Sequence, residues 1–484
     1  MIVERACLPA RMPGWCLTSL VALLAFTVVA SGQSPLVTSN GRPEQKSFSS
    51  GPLTNEPNAP SRIESRGIST SIGLYSDPIQ GVSSEDLVRR ALASNLELAA
   101  ARLDIERASA RLRQAGLRPN PSLDLEQTTG RFTGSADERE TSIGISLPFE
   151  LGAKRRRRIE LAQAELEAAE AEFADRERRL VGEVLAAHAE ALSTLRDLQI
   201  TEEINNVNTQ TTVFIQTRVN EGETAPLELS LIRAEVDRLR SQRRLVEGRL
   251  QAAFIRLKSL AGISLSEPLR LREDLARPLQ PKPPATLEAA VEIALRTRPD
   301  LRLARLTEEV AQAGLRLAQA QTVPDMTVST KYWFSRSITD LPEPLVPLPD
   351  KDRLLSFGVS LGIPVFNRNQ GEKAEAATAI SQARQRREFL EQVVRAEVAS
   401  AYQRYDAAQA AAITFEQGVI ARSTDNIRVI RAAYQIGEFR ITDVLNEQRK
   451  LLDSQREFTE ALTEQYRALV DLRMAMGVPV NSGK

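Results

Sequence analysis

The 484-residue chain is short of almost everything a catalytic or metal-binding site is built from. It has one histidine and two cysteines, so neither a His-pair metal site nor a Ser-His-Asp triad can be assembled. Both cysteines, Cys7 and Cys16, fall within residues 1–32, where Arg5 and Arg11 precede an apolar run from Leu17 to Ala30. That segment reads as an export signal, too short and poorly flanked to span a membrane. The mature chain would then have no disulfide, no lipid-bearing cysteine and no thiolate site. Its remaining methionines, Met326, Met474 and Met476, offer no cluster of soft ligands. No cofactor and no catalytic group is expected.

Other absences narrow the class further. Lys plus Arg equals Asp plus Glu at 63 each, which leaves no basic footprint for nucleic acid. Aromatics make up only 5%, which suits long packed helices better than a globular core of large side chains. Beyond residue 32 no segment approaches the ~18 apolar residues of a spanning helix. A membrane met after export must be met through β-strands.

What is present centres on one junction, Ser142 to Glu165. Ile143, Ile145 and Leu147 alternate with Ser142, Gly144 and Ser146, a strand that Pro148 is expected to end. From Ile159 the period becomes seven, through Leu166, Phe173, Leu180 and Ala187, the seam of a supercoiled helix. The same change of period recurs after Ser356.

The recurrence belongs to a tandem repeat. Ala91, Leu98, Leu103, Ala108, Leu112 and Pro121 match Ala294, Leu301, Leu306, Ala311, Leu315 and Pro324 at a constant spacing of 203. Later matches pair Gly144 with Gly358, Glu183 with Glu397, His188 with Tyr402, Gly222 with Gly437, and Gly262 with Gly477. Each copy reads helix, strand, strand, long helix, helix. Copy one covers 83–264, with a first helix over 84–118, strands 122–132 and 139–147, and helices 153–220 and 226–261. Copy two covers 286–478, with strands 325–335 and 354–363 and a long helix over 372–436 whose seam is Ile413, Ile420, Ile427 and Tyr434. Residues 33–82 read as a disordered Pro/Ser/Gly-rich leader, 265–285 as a linker, and 479–484 as a tail.

Strands of about ten residues match a tilted bilayer crossing. The long helices would reach about 100 Å and must lie against others in a coiled-coil wall. Four strands cannot close a barrel, and an open edge in lipid leaves backbone groups unpaired. Three chains would give twelve strands. The expected fold is therefore mainly α with membrane β: a homotrimer sharing a 12-stranded β-barrel on a long α-barrel.

The residues Arg113-Gln114-Ala115-Gly116-Leu117-Arg118-Pro119-Asn120-Pro121, Glu150-Leu151-Gly152-Ala153-Lys154-Arg155 and Ile363-Pro364-Val365-Phe366-Asn367-Arg368-Asn369-Gln370-Gly371 resemble TolC-type outer-membrane efflux factors. Over about 83–480 the chain is most similar to their CzcC-like heavy-metal subgroup. The resemblance implies an outer-membrane duct reaching into the periplasm, held in outer-membrane lipid and joined by a periplasmic adaptor and an inner-membrane pump. It makes heavy-metal cations (Co/Zn/Cd or Cu/Ag) the expected cargo. The same duct serving drugs or other organic solutes, and a non-transporting periplasmic coiled coil, are the alternatives.

The resemblance also places candidate residues. Gly222 and Gly437, with Arg440, would form hairpin tips that touch the adaptor. Acidic residues six and nine positions after the tip glycine ring a closed aperture in such ducts. Here those positions hold Asp443 and Asn446 in copy two, and Glu228 and Leu231 in copy one. The local reading makes Asp443 and Glu228 first-turn acids that favour their own helices. The barrel-to-helix junction would use Pro148, Gly152, Lys154, Arg155, Pro364, Asn367 and Gly371. Lys154 to Arg158 oppose their own helix dipole, so anionic partners are expected, from lipid or a neighbouring subunit, unless the face is simply solvated. His188, beside the seam, is expected to be a packing residue.

Overall fold

The computed structural model describes residues 71–132, 135–276, 283–339 and 348–478. The expected export signal, leader residues 33–70, linker residues 277–282 and the tail lie outside them.

Copy one runs α1 (Ser84–Ser94), α2 (Leu96–Ala115), β1 (Ser122–Gly130), β2 (Ser135–Phe149), α3 (Lys154–Asn220) and α4 (Pro226–Leu260). Copy two runs α5 (Leu287–Thr297), α6 (Pro299–Ala320), β3 (Met326–Thr339), β4 (Leu348–Leu361), α7 (Gln370–Thr414), a π-helical turn (Phe415–Ile420), α8 (Ala421–Gln435) and α9 (Ile441–Met476). The first helix of each copy, expected to be continuous, is broken in two. Asn95 is extended and its side chain accepts from Leu98 N–H at 3.0 Å, so it caps a new helix. Arg298 stands at the equivalent point, and Pro299 starts α6.

The sheet is an antiparallel meander in the order β1-β2-β3-β4. Pro148 does not end β2, as expected, but pairs with Thr327. The β1 partnership begins at Ser122–Ser146, so Pro148 borders β3 alone and its missing N–H breaks no bond toward β1. β3 and β4 likewise extend past the expected 325–335 and 354–363 at the end away from the helices. Register sorts the side chains into two faces. Leu123, Leu125, Ile143, Ile145, Leu147, Tyr332, Leu355, Phe357, Val359 and Leu361 share one, all exposed. The other holds Asp124, Glu126, Ser142, Ser146, Lys331 and Ser356; there Lys331 Nζ donates to Glu126 at 2.7 Å and Ser146 Oγ to Asp124 at 3.0 Å. No described helix is long and apolar enough to cross a membrane.

α3, at 67 residues, spans about 100 Å. Its seam continues beyond Leu180 and Ala187 to Thr201, Asn208 and Ile215, all fully buried. Copy two departs from expectation. Ile413 is 45% exposed, and its neighbour Ala412 is buried. The buried line runs Val398–Ala412 before the π turn and Ile427–Tyr434 after it. A π turn closes over one more residue than an α turn, which rotates the seam by one position. The repeat spacing records the same insertion, being 214 between His188 and Tyr402 and 215 between Gly222 and Gly437.

Residues 265–276 are more than a linker. Leu269, Leu271 and Leu275 are buried, and Leu271 bridges Ser76 and Val82. The last residues of the expected leader are thereby ordered, and Tyr75 meets Phe254 edge-on at 5.6 Å. Inside this belt His188 is fully buried, its Nδ1 2.9 Å from the Tyr466 hydroxyl and its Nε2 3.3 Å from Glu273. Glu273 also accepts from the Ser84 backbone and hydroxyl, at 2.8 and 2.9 Å.

Candidate functional site

The two hairpin ends are set by glycine. Gly222 and Gly437 have φ of +79° and +85° with open space where a Cβ would lie, so conformation rather than crowding demands glycine. Between the hairpins, Ile215, Leu229, Ile232, Ile427, Tyr434, Ile441, Val444 and Leu445 form one apolar cluster. Burial of these side chains clamps α3–α4 against α8–α9.

The candidate acids do local work. Asp443 is half-buried and its carboxylate accepts from Arg440 N–H at 3.0 Å, a cap on the first turn of α9. Asn446, one turn on, is exposed. Glu228, in the first turn of α4, accepts the Tyr434 hydroxyl at 3.0 Å. The chain thus does not bring Asp443 and Glu228 together; it ties Glu228 to the opposite hairpin. Burial, and then the hydrogen bond to Glu228, push the Tyr434 pKa up to about 12, so the phenol stays a donor at neutral pH. Farther up, Glu235 (5% exposed) accepts from Arg238 on its own helix and from Arg449 on α9, at 2.5 and 3.0 Å. Burial raises its pKa, but the two guanidiniums outweigh that and hold it below the usual range. Neither Tyr434, which lies on the expected seam, nor Arg449 is marked as an inter-hairpin tie by any local pattern.

At the barrel-to-helix junction the five cations find their partners inside the chain. Lys154 Nζ contacts Asp325 at 2.8 Å, Arg156 and Arg157 reach Glu160, and Arg158 meets Glu150. Arg155 Nε donates to Gly116 O at 2.7 Å and Arg158 Nη2 to Leu117 O at 3.3 Å. Cations that oppose the dipole of α3 therefore satisfy the carbonyl end of α2. In copy two Asn369 does this work, donating to Ala318 O at 3.2 Å from a left-handed conformation, φ +57°. Gly152 is required: at φ +69° an added Cβ would lie 2.7 Å from Val323 Cβ. Gly371 has open space around it. Asn367 accepts from Asn369 N–H at 2.9 Å, and Pro364 lies just beyond β4. These residues build the junction; Leu117, Glu150 and Arg158 also line a cavity of about 550 Å³ between α2 and the start of α3.

Comparison with known proteins places this geometry. A family model described as outer membrane efflux protein matches residues 87–263 and 290–478. The cobalt-zinc-cadmium resistance protein CzcC of Cupriavidus metallidurans is 23% identical over 393 residues, covering 80% of this chain and 88% of the relative. The outer membrane protein TolC of Vibrio cholerae is 22% identical over 417 residues, covering 85% and 94%. A solved structure of CusC, described in terms of folding and transmembrane channel formation, superposes with a TM-score of 0.67 at 21% identity, covering 88% of this chain and 99% of that one.

Proposed function

The chain belongs to the outer membrane efflux protein family, a passive outer-membrane channel and not an enzyme, and from that premise we propose that its cargo is heavy-metal cations. The similarity to a cobalt-zinc-cadmium resistance protein over most of both chains carries this reading. The polar face of the sheet supports it: Asp124, Glu126, Glu140, Asp350 and Asp352 lie there against Lys331 as the one described cation. With that face turned inward, a lumen of this charge attracts cations.

The sheet has two free edges, and three copies joined edge to edge make a closed twelve-stranded barrel that leaves no backbone group unpaired in lipid. In this reading the helices of three chains form the periplasmic tube, with residues 1–32 serving export. The tips at Gly222, Gly437 and Arg440 meet a periplasmic adaptor, and an inner-membrane pump supplies the cargo. Asp443 and Asn446 ring the aperture on the three-fold axis, and the Tyr434–Glu228 bond holds the hairpins in the closed arrangement. Selection of the metal then falls to pump and adaptor, since the mature chain lacks thiols and clustered imidazoles.

Metal and drug tolerance of a deletion strain, with and without the restored gene, tests the cargo. Sensitivity to zinc, cobalt, cadmium, copper or silver alone is expected. Sensitivity to dyes and antibiotics with normal metal tolerance would retain the duct and replace the cargo with organic solutes.

A further inference from the structure

The apolar face of the sheet ends in cations. Arg139, Arg336 and Lys351 are directly paired neighbours across β2, β3 and β4. Arg353 follows two residues along β4 on the same face, its guanidinium 6.0 Å from the Phe334 ring centroid. Like charges set side by side on one sheet face repel and destabilise it unless something anionic lies across them. None of the four has an ion-pair partner among the described residues, and Arg336 Nε is buried without a hydrogen-bond partner. Lys331, on the opposite face, is by contrast half-buried and paired with Glu126.

Position along the sheet says which anions could meet this row. The row Phe149–Met326–Leu361 closes the same face at the helical end. The two rows are ten residues apart along β2, which at about 3.3 Å per residue and a tilt of about 45° gives about 23 Å along the membrane normal. That is close to the ~25 Å apolar band of an outer-membrane barrel. Between the rows lie Ile143, Ile145, Leu147, Leu355, Phe357 and Val359. With the helices in the periplasm, the cationic row stands at the outer rim of the apolar band, at headgroup depth in the outer leaflet. Guanidinium groups at that depth match phosphate oxygens in bidentate geometry.

We propose that Arg139, Arg336, Lys351 and Arg353 form a binding site for a phosphate-bearing lipid headgroup of the outer leaflet. β2 and β3 supply one cation each and β4 two, so one headgroup would join three of the four strands. The site anchors the barrel in the outer leaflet, and it stands apart from the conducted cargo.

The full-length protein in discs of neutral phosphatidylcholine provides the test, with bisphosphorylated lipid A titrated in and its retention counted by native mass spectrometry. Wild type is expected to hold lipid A, and Arg336→Gln to weaken it about fivefold, the effect of one cation near an anionic surface. Removing three cations together (Arg139→Gln, Arg336→Gln, Lys351→Gln) should weaken it on the order of 100-fold by the same rule. Arg336→Lys, which keeps the charge, and Lys331→Met, which removes a cation from the other face, should both retain the lipid; this separates loss of the site from loss of the fold. Equal retention by wild type and the triple variant would overturn the proposal. So would displacement of lipid A by millimolar inorganic phosphate, which would mark a site for free phosphate instead.

Discussion

At the scale of single residues, the account turns on a few polar groups with defined partners. The Tyr434 hydroxyl joins residues 206 positions apart in the chain, and a hydrogen bond to a charged group contributes about 1.5–3 kcal/mol. Tyr434→Phe should loosen the hairpins and raise the conductance of the reconstituted channel, with Asp443→Ala raising it or shifting its cation preference. Single-channel recordings indistinguishable from wild type for both variants would remove the tip from the gating account. His188 and Glu273 act elsewhere, in the belt. Burial raises the Glu273 pKa, yet the close approach of His188 and the hydrogen bonds from Ser84 prevail and leave it below its ordinary 4.5. A lowered carboxylate stabilises the fold fully above the unfolded value and loses that contribution as pH falls through the native one. Glu273→Gln should therefore cost about 1–3 kcal/mol at neutral pH, with the difference in melting temperature closing below about pH 4.5. A gap that persists unchanged to pH 3 would contradict the charged belt.

At the scale of elements, the two junctions between sheet and helix can be told apart by glycine. Gly152→Ala places a Cβ against Val323 at positive φ and should destabilise by more than about 1 kcal/mol. Gly371→Ala, in the open first turn of α7, should be neutral or stabilising by up to about 1 kcal/mol. Thermal melting checks both, and equal effects would contradict the assigned geometry. Much at this scale was readable from sequence, because periodicity reports which face of an element is buried. Alternation at Ile143, Ile145 and Leu147 found β2, and the heptads of Ile159 to Ala187 found α3. Pro148 misled because its cost depends on whether a neighbouring strand is present, which no local pattern encodes. The π turn at Phe415–Ile420 interrupts the heptad pattern, and its one sequence signal is the step in repeat spacing from 214 to 215 across it. Contacts between distant residues, such as Tyr434 with Glu228 or Arg155 with Gly116, follow from the packing of whole helices and leave no trace in spacing.

At the scale of the whole molecule, one chain is incomplete. Leu123, Phe357 and Val359 are 61%, 77% and 71% exposed, a face for lipid rather than water. The sheet that carries them ends in the free edges of β1 and β4, which hydrocarbon does not tolerate. Both features are resolved if three chains close one barrel above a common helical tube, and the proposed duct depends on that closure. Mass measurement of the purified protein in mild detergent, with circular dichroism on the same sample, tests it most directly. The account predicts a single species of three times the chain mass that retains its strands; a monodisperse monomer retaining them would contradict it.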